Sequence, residues 1–308
     1  MINVNHQPPH WLAVHLYAAE PWETLLGHGI QPVVQALHRD GLSESFLFYR
    51  SWTGQPHLRL YFESRTEQAH TTLQPRIEHY FRHDFAHRLL STSNADRFAY
   101  RVDFLTVDFP AMPMTAAGMQ IAVSARYWRL LSQVTLDLFA QNLPWSAARG
   151  LTAALQLHLG FAWALGLDWA ATGAFYRAAG IIWSNNDAYP APETSHHPLK
   201  LNHFAGRLHE QQHKLDSYCR ALWDALQLAA PFDEPWFQHW LCALHSMRHE
   251  LQPLLVPACD PQRWTALVQH VHLINNQLGI VQQDEALLCR LLAHVPIEPK
   301  LSWPTDGL

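Results

Sequence analysis

A chain of 308 residues is long enough for one large domain or two ordinary ones. Only 15% of the residues are charged and the formal net charge is −5 with neutral histidines, which argues against the basic footprint of a nucleic-acid binder. Aromatic residues reach 12%, with 13 Trp, so the expectation is either a Trp-rich core or an aromatic cleft for a large neutral ligand.

In chain order, Trp11–Tyr17 is apolar and aromatic enough for a first strand. Trp22–His38 reads as a helix that Pro32 must begin or split, and Gly41 closes it. Phe46–Arg50 and Leu58–Phe62 form a hairpin around the turn Thr53-Gly54-Gln55-Pro56. Thr66–Leu90 is helical, with Pro75 expected where its stable part begins. Phe98–Phe109 returns to strand character before Pro110 and Pro113 break it. Met119–Gln141 is a helix, and the almost uncharged Ser146–Trp183 reads as two packed helices broken near Gly166. Ser184–Pro198, with three prolines, is the clearest loop. Helices follow at Leu201–Leu228, Trp236–Leu251, Arg263–Leu278 and Gln283–His294, with breaks at Pro231–Pro235 and Pro253–Pro261. The pattern predicts an α+β fold: a mostly antiparallel sheet in the N-terminal third covered by helices, then a mainly helical C-terminal half, all in one domain over 1–308. No stretch reads as a membrane span or a signal peptide, and Cys219, Cys242, Cys259 and Cys289 are too scattered for a metal motif. These features predict a cytoplasmic protein with reduced, buried thiols.

Chemistry concentrates in a few places. Along Leu58–Phe62, alternation puts Leu58, Leu60 and Phe62 on one face and His57, Arg59 and Tyr61 on the other, a row of a base, a fixed cation and a phenol. Tyr49 and Arg50, one strand over, point to opposite faces, so one of them joins that row. His272 and Asn276 share a helical face at i, i+4, and a histidine titrating near neutrality is a candidate for proton transfer. Asp187 and Tyr189 sit in the Pro-rich loop, where specificity residues gather. His209-Glu-Gln-Gln-His213 matches the H-E-x-x-H of zinc hydrolases, but its two glutamines and the following Lys214 suit a polar helix face better.

Three of these stretches, Trp11–Tyr17, Phe46–Phe62 and His272–Glu285, together resemble the C-terminal elimination domain of lantibiotic dehydratases, which also occurs alone in thiopeptide biosynthesis. The opening pattern is an aromatic strand with Arg50 seven residues before His57-Leu-Arg59-Leu-Tyr61; the closing one is His272, Asn276-Gln277 and Asp284-Glu285. The resemblance implies an enzyme of ribosomal-peptide modification whose partner is a precursor peptide, leader plus dehydroalanine-containing core, with other pathway enzymes beside it. It favours Arg50 over Tyr49 and gives His272 the proton-transfer role. Elimination domains hold a glutamate leaving group with several arginines. Here Tyr61 stands where the second Arg of the Arg-x-Arg pair belongs, Gln277 replaces another Arg, and Met112–Met119 replaces an Arg-Tyr-Gly-Gly motif. A di-anion clamp does not survive loss of its guanidinium forks. The departures therefore point to the family's pyridine synthases, which join two dehydroalanines by a formal [4+2] aza-cycloaddition and release water and the leader peptide. On this reading Arg59, Tyr61 and His272 are catalytic, and Arg50, His57, Asn276, Asp187 and Tyr189 bind substrate, with no metal or redox cofactor. The alternatives are a glutamate-eliminating domain of a split dehydratase, a non-catalytic peptide binder, and a zinc peptidase built on His209, Glu210 and His213.

Overall fold

Period-two alternation builds four strands: β1 (His10–Ala18), β2 (Ser45–Ser51), β3 (His57–Ser64) and β4 (Tyr100–Val107). They form one antiparallel sheet in the order β2-β3-β1-β4. The computed structural model describes residues 10–18, 21–52, 55–64, 67–85, 100–107, 119–141, 143–184, 205–255 and 261–293. The register places Leu12, Val14 and Leu16 of β1 opposite Phe62, Leu60 and Leu58 of β3, and Phe46 and Phe48 of β2 opposite Phe62 and Leu60. This apolar face is sealed, every one of these side chains being buried.

Between β1 and β2 runs α1, an α turn (Trp22–Thr24), a π segment (Leu25–Ile30) and an α segment (Gln31–Arg39) with Pro32 in its first turn. Pro32 has no N–H to give the preceding turn, and the wider π register comes just where that bond is missing. Between β3 and β4 lies α2 (Glu67–His79), which ends in a second π segment, Tyr80–Asp84. It begins at Glu67, one residue from the expected start, and Pro75 lies inside it instead of opening its regular part. The Tyr80 hydroxyl donates to the Gly29 carbonyl, which ties α2 to α1. The β1-α1-β2 and β3-α2-β4 units interleave as a split βαβ arrangement.

The described residues that follow form helices: α3 (Met119–Phe139), α4 (Ala147–Ala164), α5 (Trp169–Ser184), α6 (Ala205–Gln227), α7 (Pro235–Leu251), α8 (Pro261–Leu278) and α9 (Gln282–Ala293). Ser146 caps α4 by accepting from the Arg149 N–H. Gly166, at φ +79, turns the chain from α4 into α5. The two helices bend 116° apart, and no single helix among the described residues is long and apolar enough to cross a membrane. Their apolar length goes into the core, where Trp240 of α7 donates to the Leu157 carbonyl and His158 binds Asn275 at 2.9 Å. Cys219 and Cys289 are buried thiols, but Cys242 is exposed, contrary to the sequence expectation.

The sheet meets this helical layer along the free edge of β2. An edge strand offers unpaired backbone groups, and here α3 and α8 satisfy them with side chains. Ser132 accepts from the Phe48 N–H, while Trp128 and Gln277 donate to the Phe48 carbonyl. Asn276 accepts from the Arg50 N–H at 2.9 Å and donates to the Arg50 carbonyl at 2.8 Å, a side-chain copy of a strand rung. Asn276 is buried in this bond pair, so the substrate-binding role expected of it is replaced by a structural one. Losing the amide would leave two buried backbone groups unpaired, and Asn276→Ala is expected to cost about 2–4 kcal/mol in urea unfolding. Unchanged stability in that variant would return Asn276 to the substrate.

Candidate active site

The second face of the sheet carries the chemistry. Register sets Tyr49 opposite Arg59 and Leu47 opposite Tyr61 on β2 and β3, and His15 opposite Arg59 and Ala13 opposite Tyr61 on β1. Arg101 and Asp103 of β4 lie across from Tyr17 and His15 on the same face. The predicted row of His57, Arg59 and Tyr61 is therefore present, with Tyr49, His15 and Tyr17 as its neighbours.

Arg50 is on the opposite face. It is 2% exposed, pairs with Glu23 of α1 at 2.8 Å and donates to the Gln277 carbonyl. Its parity is that of Phe46 and Phe48, so the place expected for it in the row belongs to Tyr49. Gln277 also points away, into the core, where its amide donates to Ser132 and accepts from Thr135.

Three groups form a relay at one end of the face. Glu285, buried near the start of α9, lies 2.8 Å from His272 Nδ1, and His272 Nε2 lies 3.4 Å from the Tyr49 hydroxyl. His272 stands one turn before Asn276 on α8, so the grip of Asn276 on Arg50 also sets the imidazole against Tyr49. Burial lowers the affinity of His272 for a proton, but the charge of Glu285 and its hydrogen bond outweigh that and raise the pKa above 6.5. The imidazolium thus persists above pH 6.5. Its stabilisation by Glu285 is complete below that value and fades as the pH rises through the raised pKa.

The other end is held differently. His57 Nδ1 lies 2.8 Å from the Gln55 carbonyl, and Arg59 Nε donates to His57 Nε2 at 3.2 Å. Tyr61 packs edge-on to Trp128, and its pKa is raised because burial outweighs the Arg59 guanidinium beside it. The His15 and His57 rings are 4.9 Å apart, and Tyr17 stacks on His57 at 4.7 Å. Burial, then His57 and Arg59, lower the His15 pKa to about 4, against Asp103, so it is neutral at pH 7. Arg101 lies over the Tyr17 ring and pairs with Asp103, while Arg129 of α3 pairs with Glu63 at the far end of β3.

The family resemblance favours Arg50 over Tyr49, and it places Glu285 in the closing pattern without a role of its own. The alternation of β2 carried the signal for Tyr49; nothing local in the sequence announces the Glu285–His272 contact. Asp187 and Tyr189 lie outside the described residues, as do the side chains of His209 and Glu210 and the structure of residues 112–118. His213 is exposed on α6, and among the described residues no three potential metal ligands converge. Replacing Glu285 by Gln removes the charge that raises the His272 pKa and leaves burial to act. An NMR titration of the imidazole should then give a value below 6.5; a pKa still raised would remove Glu285 from the relay.

The comparisons with known proteins follow the fold. The pyridine synthase TbtD from thiomuracin biosynthesis superposes with a TM-score of 0.62 at 17% identity, covering 93% of this chain and 97% of that one. TsrL gives 0.59 at 16%, covering 93% and 94%. The tRNA-dependent lantibiotic dehydratase MibB from Microbispora sp. 107891 gives 0.60 at 15%, covering 94% of this chain but 28% of that one. Similarity at this level is one of fold. No curated protein sequence gives a significant match. The family profile for the C-terminal part of lantibiotic biosynthesis dehydratases matches residues 11–295, and the chain belongs to that family.

Proposed function

We propose that this protein is a peptide-modifying cyclase of thiopeptide-type biosynthesis, which forms a pyridine-type ring from two dehydroalanines of a modified precursor peptide. The observation that carries this reading is the charge balance of the site face. Of its guanidiniums, Arg101 and Arg129 are already paired with Asp103 and Glu63. Arg59 has no carboxylate partner among the described residues and donates to the His57 imidazole, with the Tyr61 phenol beside it. Among the described residues, a glutamate leaving group with its two carboxylates would find one uncommitted guanidinium, whereas a neutral peptide finds phenols, imidazoles and that single guanidinium.

The first step moves a proton from an amide nitrogen to its oxygen, which gives an iminol. Arg59 and Tyr61 supply donors to that oxygen, where negative charge gathers. Tyr49, backed by His272 and Glu285, exchanges the proton. The iminol C=N and the adjoining dehydroalanine C=C form the four-atom partner, and the second dehydroalanine C=C the two-atom partner. Two carbon–carbon bonds close the ring, a step governed by orientation. Water then leaves from the former amide carbon, and the leader leaves as a carboxamide, which makes the ring aromatic. The precursor peptide is the partner, and the leader serves as its handle.

Incubation with a peptide carrying two dehydroalanines, read by mass spectrometry, should show release of the leader segment and loss of water. Loss of glutamate from a glutamylated peptide without ring closure would overturn the proposal in favour of elimination. Tyr49→Phe removes the proton-exchanging group and should slow ring formation roughly a hundredfold. Tyr61→Phe removes one donor and should slow it roughly tenfold, while peptide binding stays largely intact in both.

A further inference from the structure

The two hydrogen bonds of the His57 ring together select one protonation state. The Gln55 carbonyl can only accept, so Nδ1, 2.8 Å away, carries a proton. Arg59 Nε can only donate, so Nε2, 3.2 Å away, carries none. Both conditions hold together in one species, the neutral Nδ1–H tautomer. The ring has no nitrogen left for a substrate, and it is buried against Tyr17 and His15.

We propose that His57 is a positioning residue: locked as its Nδ1–H tautomer, it holds Arg59 Nε and so aims the guanidinium and, through it, the Tyr61 hydroxyl at the substrate. This replaces direct substrate binding by His57 and rests on the roles given above to Arg59 and Tyr61. The chain of bonds has a direction. It begins at the Gln55 carbonyl, passes through the imidazole to Arg59 Nε, and leaves the Nη groups as the donors that reach onward. The Tyr61 phenol lies beside the guanidinium, whose charge works against burial in setting its pKa. A guanidinium has no lone pair to offer, so toward Arg59 the phenol oxygen can act only as an acceptor, which leaves its own proton for the substrate. Tyr61 is thereby fixed as a donor, whereas Tyr49, against a titrating His272, donates or accepts according to the charge on the imidazole. Charge stabilisation and proton exchange thus fall to different phenols beside Arg59, Tyr61 along its own strand and Tyr49 across from it.

Protonation of His57 would put a second N–H against Arg59 Nε and break the chain. The groups facing His57 weigh on that event: His15 and Tyr17 from β1, Arg59 on its own strand, and Arg101 and Asp103 from β4. Burial lowers the His57 pKa, Arg59 and Arg101 lower it further, and the Gln55 bond and Asp103 oppose them. The tautomer therefore holds at neutral pH and fails on the acid side, below the ordinary histidine value of 6.5.

Nitrogen-15 NMR of histidine-labelled protein at pH 7 tests this without turnover. A protonated Nδ1 and an unprotonated Nε2 for His57 are expected; a protonated Nε2 overturns the proposal, whether or not the protein forms a ring. With active protein, His57→Phe keeps a ring between Tyr17 and His15 but offers no acceptor. It should lower kcat ten- to a hundredfold with little change in KM, and His57→Gln, whose side-chain oxygen accepts, should recover part of the loss. The acid limb of the wild-type kcat profile that reports His57 should be missing from His57→Gln. An unchanged kcat in His57→Phe, or a loss confined to KM, would return His57 to substrate contact.

Discussion

The free edge of β2 is the constraint from which the rest of the arrangement follows. A four-stranded sheet has two edges, and one of these lies inside the protein, where water cannot serve its N–H and C=O groups. Ser132, Trp128, Gln277 and Asn276 meet that need with side chains, from two helices far apart in sequence. The bonds are directional, so they fix not only that α8 packs on β2 but its height along the strand. His272, one turn back on the same helix face, arrives opposite Tyr49 for this reason. The placement of a chemically capable histidine is thus a consequence of satisfying a strand edge.

Much of the sheet was legible because alternation is a strict rule. Leu58, Leu60 and Phe62 against His57, Arg59 and Tyr61 divide by parity, and the register bears this out. The same parity in β2 groups Arg50 with Phe46 and Phe48, yet the resemblance drew Arg50 to the site. What the sequence did not carry was Glu23, 27 residues earlier, whose carboxylate makes a buried guanidinium tolerable. Asn276 shows the same limit from the other side. A polar residue at i+4 from a candidate base reads as a site residue, and only the position of the β2 edge reveals that its amide is consumed. Helix boundaries near Gly166 and Pro235 were readable from backbone chemistry, whereas α2 runs through Pro75 because the packing of its flanks outweighs the broken bond.

The electrostatics of the site face have a common pattern. Each carboxylate described near it is committed: Glu285 to His272, Asp103 to Arg101 and Glu63 to Arg129. The committed pairs leave the centre of the face around Arg59 with phenols and neutral imidazoles. A surface of this kind discriminates by hydrogen-bond direction and shape more than by net charge. It also faces two histidine environments, an imidazolium favoured beside Glu285 and neutral rings beside Arg59, the kind of separation that acid and base steps at one pH require.

Gly279 closes α8 at φ +80, and a Cβ there would stand 2.7 Å from Arg50 Nη1. Two demands fall on one residue: a left-handed backbone and room for a buried guanidinium. The end of the helix and the floor beneath the sheet are therefore a single mechanical joint. Substitution at Gly279 has no freedom, since even one added methyl group there would press on the buried Arg50–Glu23 ion pair.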